Sequence, residues 1–175
     1  MYRNLFILSL LGLAACSAPE PANLTLQSPD EKLTVQVFTT PAGEPAYTVR
    51  FGESLVLDTS RLGMRWADGS DFGKGFAIAG SETKSINETW EQPWGEQRQM
   101  TDRSEELLVN FTKTDDPEMD YAVRFRTYDD GVAFRYEFHS NIANITVAHE
   151  DTEFQLTSDP LCWWAPGDWD IYEHL

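Results

Sequence analysis

The chain has few residues that could build a covalent or cationic framework. Its 175 residues include two cysteines, three histidines and 13 Lys or Arg against 29 Asp or Glu. Two cysteines exclude a disulfide-stapled fold. His139, His149 and His174 are scattered, which gives no support to a zinc site. A net charge of −16 argues against nucleic acid as a partner, because phosphate binding needs clusters of Lys and Arg. There is no Gly-rich phosphate loop, no Ser-centred nucleophile elbow and no redox Cys pair. No apolar run approaches the roughly 20 residues of a membrane-spanning helix, and no window of a dozen residues carries a helical stripe.

What is present starts with a leader. Arg3 supplies a positive charge, Leu5 to Leu13 is apolar apart from Ser9 and Gly12, and Leu13-Ala14-Ala15-Cys16 follows. This order is that of a secretory signal peptide. Leu-Ala-Ala-Cys also resembles the bacterial lipobox, in which the Cys is acylated and becomes the new N-terminus. Residues 1–15 are therefore read as a lipoprotein signal peptide, with Cys16 the lipidation site. The segment 16–26, with Pro19 and Pro21, reads as a lipid-anchored tether. Several acyl chains on one Cys anchor a protein stably. The expected location is the bacterial cell envelope, periplasm or outer membrane, with membrane contact only through that anchor. Lipidation would leave Cys162, among Leu161, Trp163 and Trp164, as a buried inert thiol.

Residues 27–175 carry a repeated two-residue alternation. Leu33-Val35-Val37 and Tyr47-Val49-Phe51 alternate with polar neighbours, as half-buried strands do. Leu55–Leu57, Leu62–Trp66, Leu107–Phe111 and Ile145–Val147 read as further strands. The strongest hairpin signal is Tyr121-Val123-Phe125, then Asp130-Gly131, then Val132-Phe134-Tyr136-Phe138, with Glu137 facing an Arg across the pair. Many short strands with frequent turns imply an all-β sandwich or barrel. The chain stops inside an aromatic stretch, Trp163 to Leu175, without a polar tail, so truncation at the C-terminus is expected.

Certain runs also resemble a known family. Ser28-Pro29-Asp30 leads into the first alternating run. Asn87-Glu88-Thr89-Trp90 precedes Pro93-Trp94-Gly95-Glu96, then Arg103 and Glu105-Glu106-Leu107. Arg124-Phe125-Arg126 precedes Asp130-Gly131-Val132-Ala133-Phe134-Arg135-Tyr136-Glu137-Phe138, and Glu153-Phe154 precedes Trp163-Trp164-Ala165-Pro166-Gly167-Asp168. In this order they resemble the N-terminal domain of glycoside hydrolase family 97. The resemblance implies a large antiparallel β-sandwich (super-sandwich) packed on a catalytic (β/α)8 barrel of the same polypeptide. It implies hydrolysis of α-glucosidic or α-galactosidic bonds in an oligo- or polysaccharide substrate, with calcium beside the active site. The catalytic carboxylates would lie in the barrel, beyond residue 175. Glu173 matches a family position that reaches from the sandwich to the calcium.

Asp168, Asp170 and Glu173 read as a solvated acidic loop, so no catalytic residue is assigned within the chain. Trp94 and Trp164 are candidates for a domain interface or for stacking on sugar rings. The expected role is that of a non-catalytic domain bracing the barrel. The alternative is a free-standing carbohydrate-binding envelope lipoprotein.

Overall fold

The structure, a computed structural model, describes residues 23–138 and 146–162. All its regular elements are strands, and all pair antiparallel. In chain order they are β1 (Leu24–Gln27), β2 (Leu33–Thr39), β3 (Pro45–Phe51), β4 (Ser54–Arg61), β5 (Met64–Trp66), β6 (Phe76–Glu91), β7 (Gln99–Lys113), β8 (Asp120–Tyr128), β9 (Gly131–Phe138) and β10 (Val147–Glu150). One sheet has the order β1-β2-β3-β4, a second β6-β7-β8-β9, and β10 pairs with β5 alone.

The alternation seen in the sequence is what lets the two four-stranded sheets close on each other. Leu26, Leu33, Val35, Val37, Tyr47 and Val49 project from the first sheet into the core. Leu107, Val109, Phe111, Tyr121, Val123 and Phe125 meet them from the second. Aromatic rings fill most of the space between. Tyr121 is fully buried and lies 5.4 Å from Phe111 and 5.2 Å from Phe76, ring centre to ring centre. Its hydroxyl donates to the Phe72 carbonyl at 3.1 Å, so the ring's one polar atom is satisfied. The stretch after β10 continues the first sheet at its β4 edge. Glu153 N–H donates to Arg61 O at 2.9 Å and Asp58 N–H to Gln155 O at 2.9 Å.

The all-β sandwich expectation holds, and four local readings need correction. First, Leu24 to Leu26, read as tether, belong to β1, with Leu26 buried against the core. A four-residue strand beside two prolines is too short to show its alternation. Second, the β8–β9 turn is Asp129-Asp130, and Gly131 already pairs with Tyr128. Asp129 accepts the Asp30 N–H at 2.9 Å and lies 3.8 Å from Arg103, which ties this turn to the β1–β2 turn. Third, Glu137 stands directly opposite Ala122 and reaches Arg124 on the diagonal. Fourth, Cys162 is exposed, not buried. The last backbone bond to β4 is made by Thr157, and Leu161 beyond it is almost wholly exposed.

The sequence reading also passed over β6, at 16 residues the longest strand. Most of β6 is exposed, so polar residues such as Glu82, Thr83, Lys84 and Ser85 interrupt any apolar alternation. It pairs with β7 along its whole length, and a β-bulge between Ile78 and Gly80 shifts the register. At ~3.3 Å per residue the ribbon is about 50 Å long. Only Glu105 to Thr112 of β7 pair with β8. The portion joining Asn87–Glu91 to Gln99–Arg103 therefore runs on as a two-stranded arm.

Candidate functional site

The described runs that carry the resemblance sit mainly in three places, with Glu153-Phe154 apart from them on the segment after β10. Ser28-Pro29-Asp30 forms the β1–β2 turn. The Ser28 hydroxyl accepts the Leu33 N–H at 3.0 Å and donates to Asp30 Oδ1 at 2.7 Å. Hydrogen bonds from Lys32 and Ser28 hold the Asp30 carboxyl down at about 2. Glu31 takes the left-handed conformation that this tight turn requires (φ 61°).

The second place is the outer face of the β6–β9 sheet. Residues alternating with the core side chains bring Asp102 and Glu106 from β7 beside Arg124 and Arg126 from β8 and Arg135 and Glu137 from β9. Three carboxylates meet three guanidiniums. Glu106 is the hub: its side chain is only 7% exposed, and it accepts from Arg124 Nη1 and, at 2.8 Å, from Arg126 Nε. Burial raises its pKa, but the Arg126 and Arg124 hydrogen bonds outweigh that and leave it below the usual range. Arg124 and Arg135 are direct cross-strand neighbours, a repulsive arrangement taken alone. Glu137 offsets it, accepting from Arg124 at 2.6 and 2.9 Å and from Arg135 at 2.8 Å. The Arg124 hydrogen bonds, with those of Arg135, draw Glu137 down to about 2.

The third place is the tip of the β6–β7 arm. Trp94 stands there 79% exposed, with Trp90 half-exposed on the same ribbon. Gln92 N–H donates to Arg98 O at 2.9 Å, and the Gln92 amide crosses the loop to Gln97 O at 2.8 Å. Gly95 has φ 102°, which favours glycine, and a Cβ there would lie 2.9 Å from Gln92 Nε2 and push that amide aside. Of the other sequence candidates, Cys16, Trp164 and Glu173 lie outside the described residues.

A separate polar cleft of about 550 Å³ opens between β4, β5 and the returning segment. Arg61 forks Glu153, with Nε at 3.0 Å, and also reaches Glu44 at 3.3 Å. Arg65 forks Asp151 at 2.7 and 3.0 Å. The forked partners are 86 and 92 positions apart, so no local pattern in the sequence points to this cleft. Because Arg61 and Arg65 are about half-exposed, each fork is worth little. Arg61→Ala should cost less than about 1 kcal/mol, and less still in high salt. A loss of several kcal/mol in urea unfolding would show that the cleft braces the fold.

The chain as a whole is similar to proteins of one kind. Residues 26–175 match the family described as Glycosyl-hydrolase 97 N-terminal. The chain belongs to this family. A probable retaining α-galactosidase of Streptomyces bingchenggensis is 30% identical over 152 residues, covering 87% of this chain and 21% of that protein. A retaining α-galactosidase of Bacteroides thetaiotaomicron is 26% identical over 134 residues. Among solved structures, a family 97 enzyme from Pseudoalteromonas sp. strain K8 in complex with panose superposes with a TM-score of 0.70 at 34% identity. That match covers 77% of this chain and 20% of that one. A β-arabinopyranosidase superposes at 0.68 with 28% identity. The chain thus spans about a fifth of the length of the family 97 proteins it matches.

Within that family the outer-face network and the β1–β2 turn are best understood as structure. Of their carboxyls, Asp30, Glu106 and Glu137 are held below the usual carboxylate range by Lys, Ser, Arg or backbone hydrogen bonds. A glycosidase's general acid needs the opposite, a carboxyl held protonated by a raised pKa. Every described carboxyl with a resolved shift, from Asp30 to Glu153, is displaced downward.

Proposed function

We propose that this chain is the non-catalytic sandwich domain of an exported glycoside hydrolase that cleaves α-galactosidic or α-glucosidic bonds. The observation that carries the proposal is the family match across residues 26–175, over about a fifth of proteins named as α-galactosidases. The Arg-paired, acid-shifted carboxyls support it, because none of them suits a general acid. The sandwich would brace a catalytic barrel of the same polypeptide. Cys16 would anchor the whole to the envelope by a lipid.

Calcium would serve the parent enzyme. Among the described residues no three His, Cys, Asp or Glu are grouped to hold a metal. Calcium takes six to eight oxygen ligands, so Glu173 could supply one and the barrel the rest. The ion would supply positive charge beside the reacting sugar when bound.

The test compares two proteins, this chain and the polypeptide extended through the barrel. With aryl α-galactosides and aryl α-glucosides, the extended protein should turn over and the 175-residue chain should not. Turnover by the purified short chain would overturn the reading. In the extended protein Glu173→Gln should weaken calcium binding in calorimetry and lower activity, with partial rescue at high calcium. Full calcium affinity in that variant would remove Glu173 from the site. Cys16→Ser should move the protein from the membrane to the soluble fraction. No acyl label on the unsubstituted protein would end the lipid assignment.

A further inference from the structure

The geometry points to the β6–β7 tip as a carbohydrate-binding site, with Trp94 stacking on a neutral pyranose ring of an α-linked oligosaccharide. The class of sugar rests on the function proposed above, whereas the site itself rests on what the tip presents.

The first observation is the offered plane. The Trp94 indole is 79% exposed at the end of an arm that reaches beyond β8 and β9. A large apolar ring in that position contributes nothing to the core, which is built from other aromatic rings.

The second observation is that the loop beneath it is held in shape. The Gln92 side chain bridges to Gln97 O, and Gly95 takes its left-handed conformation directly against the Gln92 amide. Arg98 closes the base by donating to Glu91 from Nε at 3.1 Å and Nη2 at 3.0 Å. A platform already in its bound shape loses little entropy when a ligand arrives. All of these bonds join residues 91–98, so the site exists in this chain without any further domain.

The third observation selects the ligand. The tip encloses about 550 Å³ bordered by Glu91, Gln92, Pro93, Glu96 and Arg98. Here the Trp94 indole, with half-exposed Trp90 behind it on the ribbon, is ringed by amide, carboxylate and guanidinium groups. That arrangement suits a sugar, whose C–H face lies on the ring while its hydroxyls take the polar rim. Arg98 and Glu91 neutralise each other, and Glu96 adds negative charge to a chain of net −16. An anionic glycan would be repelled.

The experiment follows the indole N–H signals of the whole chain by 1H–15N NMR during titration with maltoheptaose and with stachyose. The Trp94 signal is assigned by its loss in W94F. It should shift saturably with one of the two sugars, with a dissociation constant in the millimolar range. In calorimetry W94A should weaken binding at least about tenfold, while W94F, which keeps an aromatic plane, should retain most of it. Gly95→Ala should also weaken binding while the rest of the spectrum stays dispersed, because it displaces the Gln92 support. A Trp94 signal that ignores both sugars would overturn the site. So would equal binding by W94A, or a concentration-dependent dimer that W94A abolishes with no sugar response. An extended enzyme that hydrolyses aryl α-galactosides while its Trp94 signal stays still would remove this site and leave the proposed function standing.

Discussion

Phe125→Ala should destabilise the sandwich by about 3–5 kcal/mol, the upper range for a core truncation. Phe125 sits in the middle of β8 with no exposed surface. Its ring lies 5.8 Å from Tyr47, in the opposite sheet, and 5.4 Å from Phe134 on the neighbouring strand. Removing it takes out a large apolar area and leaves a cavity that two rigid sheets cannot collapse to fill. Domains of this size hold only ~5–15 kcal/mol of stability, so a substantial part would go. At ~2–4 °C per kcal/mol the melting temperature should fall by about 10 °C. Urea unfolding should show a lower midpoint with an unchanged slope. A loss under about 1 kcal/mol would mean that Phe125 does not join the two sheets.

Glu106→Ala should cost somewhat less, about 2–4 kcal/mol. Removing one partner of a buried ion pair is typically worth 3–5 kcal/mol, because the other charge is left without compensation. Here two guanidiniums lose their shared acceptor, but Arg124 is 23% and Arg126 34% exposed, and water recovers part of the loss. Arg124 also keeps Glu137, and Arg126 keeps Asp102 at 3.0 Å. The same network sets a pH dependence. Glu106 and Glu137 both have folded-state pKa values below the unfolded value near 4.5, Glu137 at about 2. Their contribution is therefore complete above pH 4.5 and is lost as the pH falls from 4.5 toward 2. Stability measured from pH 6 to pH 3 should decline in the unsubstituted chain and decline less steeply in Glu106→Ala. Parallel profiles would show that the network is not the acid-sensitive element. A compensated variant, Glu106→Leu with Arg124→Met, should recover stability relative to Glu106→Ala, because it leaves fewer charges without partners.

The two substitutions explain why motifs that resemble an enzyme family are crowded onto strands without catalytic chemistry. Arg124-Phe125-Arg126 places one ring in the core and two cations on the outer face, as a period-two strand dictates. Glu106-Leu107 and Arg135-Tyr136-Glu137 do the same on the flanking strands.

The sequence by itself determined the strand-forming alternation, and with it the all-β class, alternating core residues such as Val35, Val37, Tyr47, Val49, Tyr121, Val123 and Phe125, and the family. A two-residue period commits a side chain to one face whatever the partner strand turns out to be. It also determined the acidic surface, since charge is a sum over residues and needs no geometry. Other features were decided only when the strands met in three dimensions. β6 is exposed along most of its length, so its partner β7, rather than any apolar pattern, makes it a strand. The β8–β9 turn falls one residue earlier because Tyr128 pairs with Gly131, and there Asp129 accepts the N–H of Asp30, 99 positions away. The Arg61–Glu153 and Arg65–Asp151 forks join partners from opposite ends of the domain. Trp94 was visible from the start as a tryptophan between proline and glycine. Only the ribbon beneath it, and the Gln92 amide packed against Gly95, made it a rigid plane facing water.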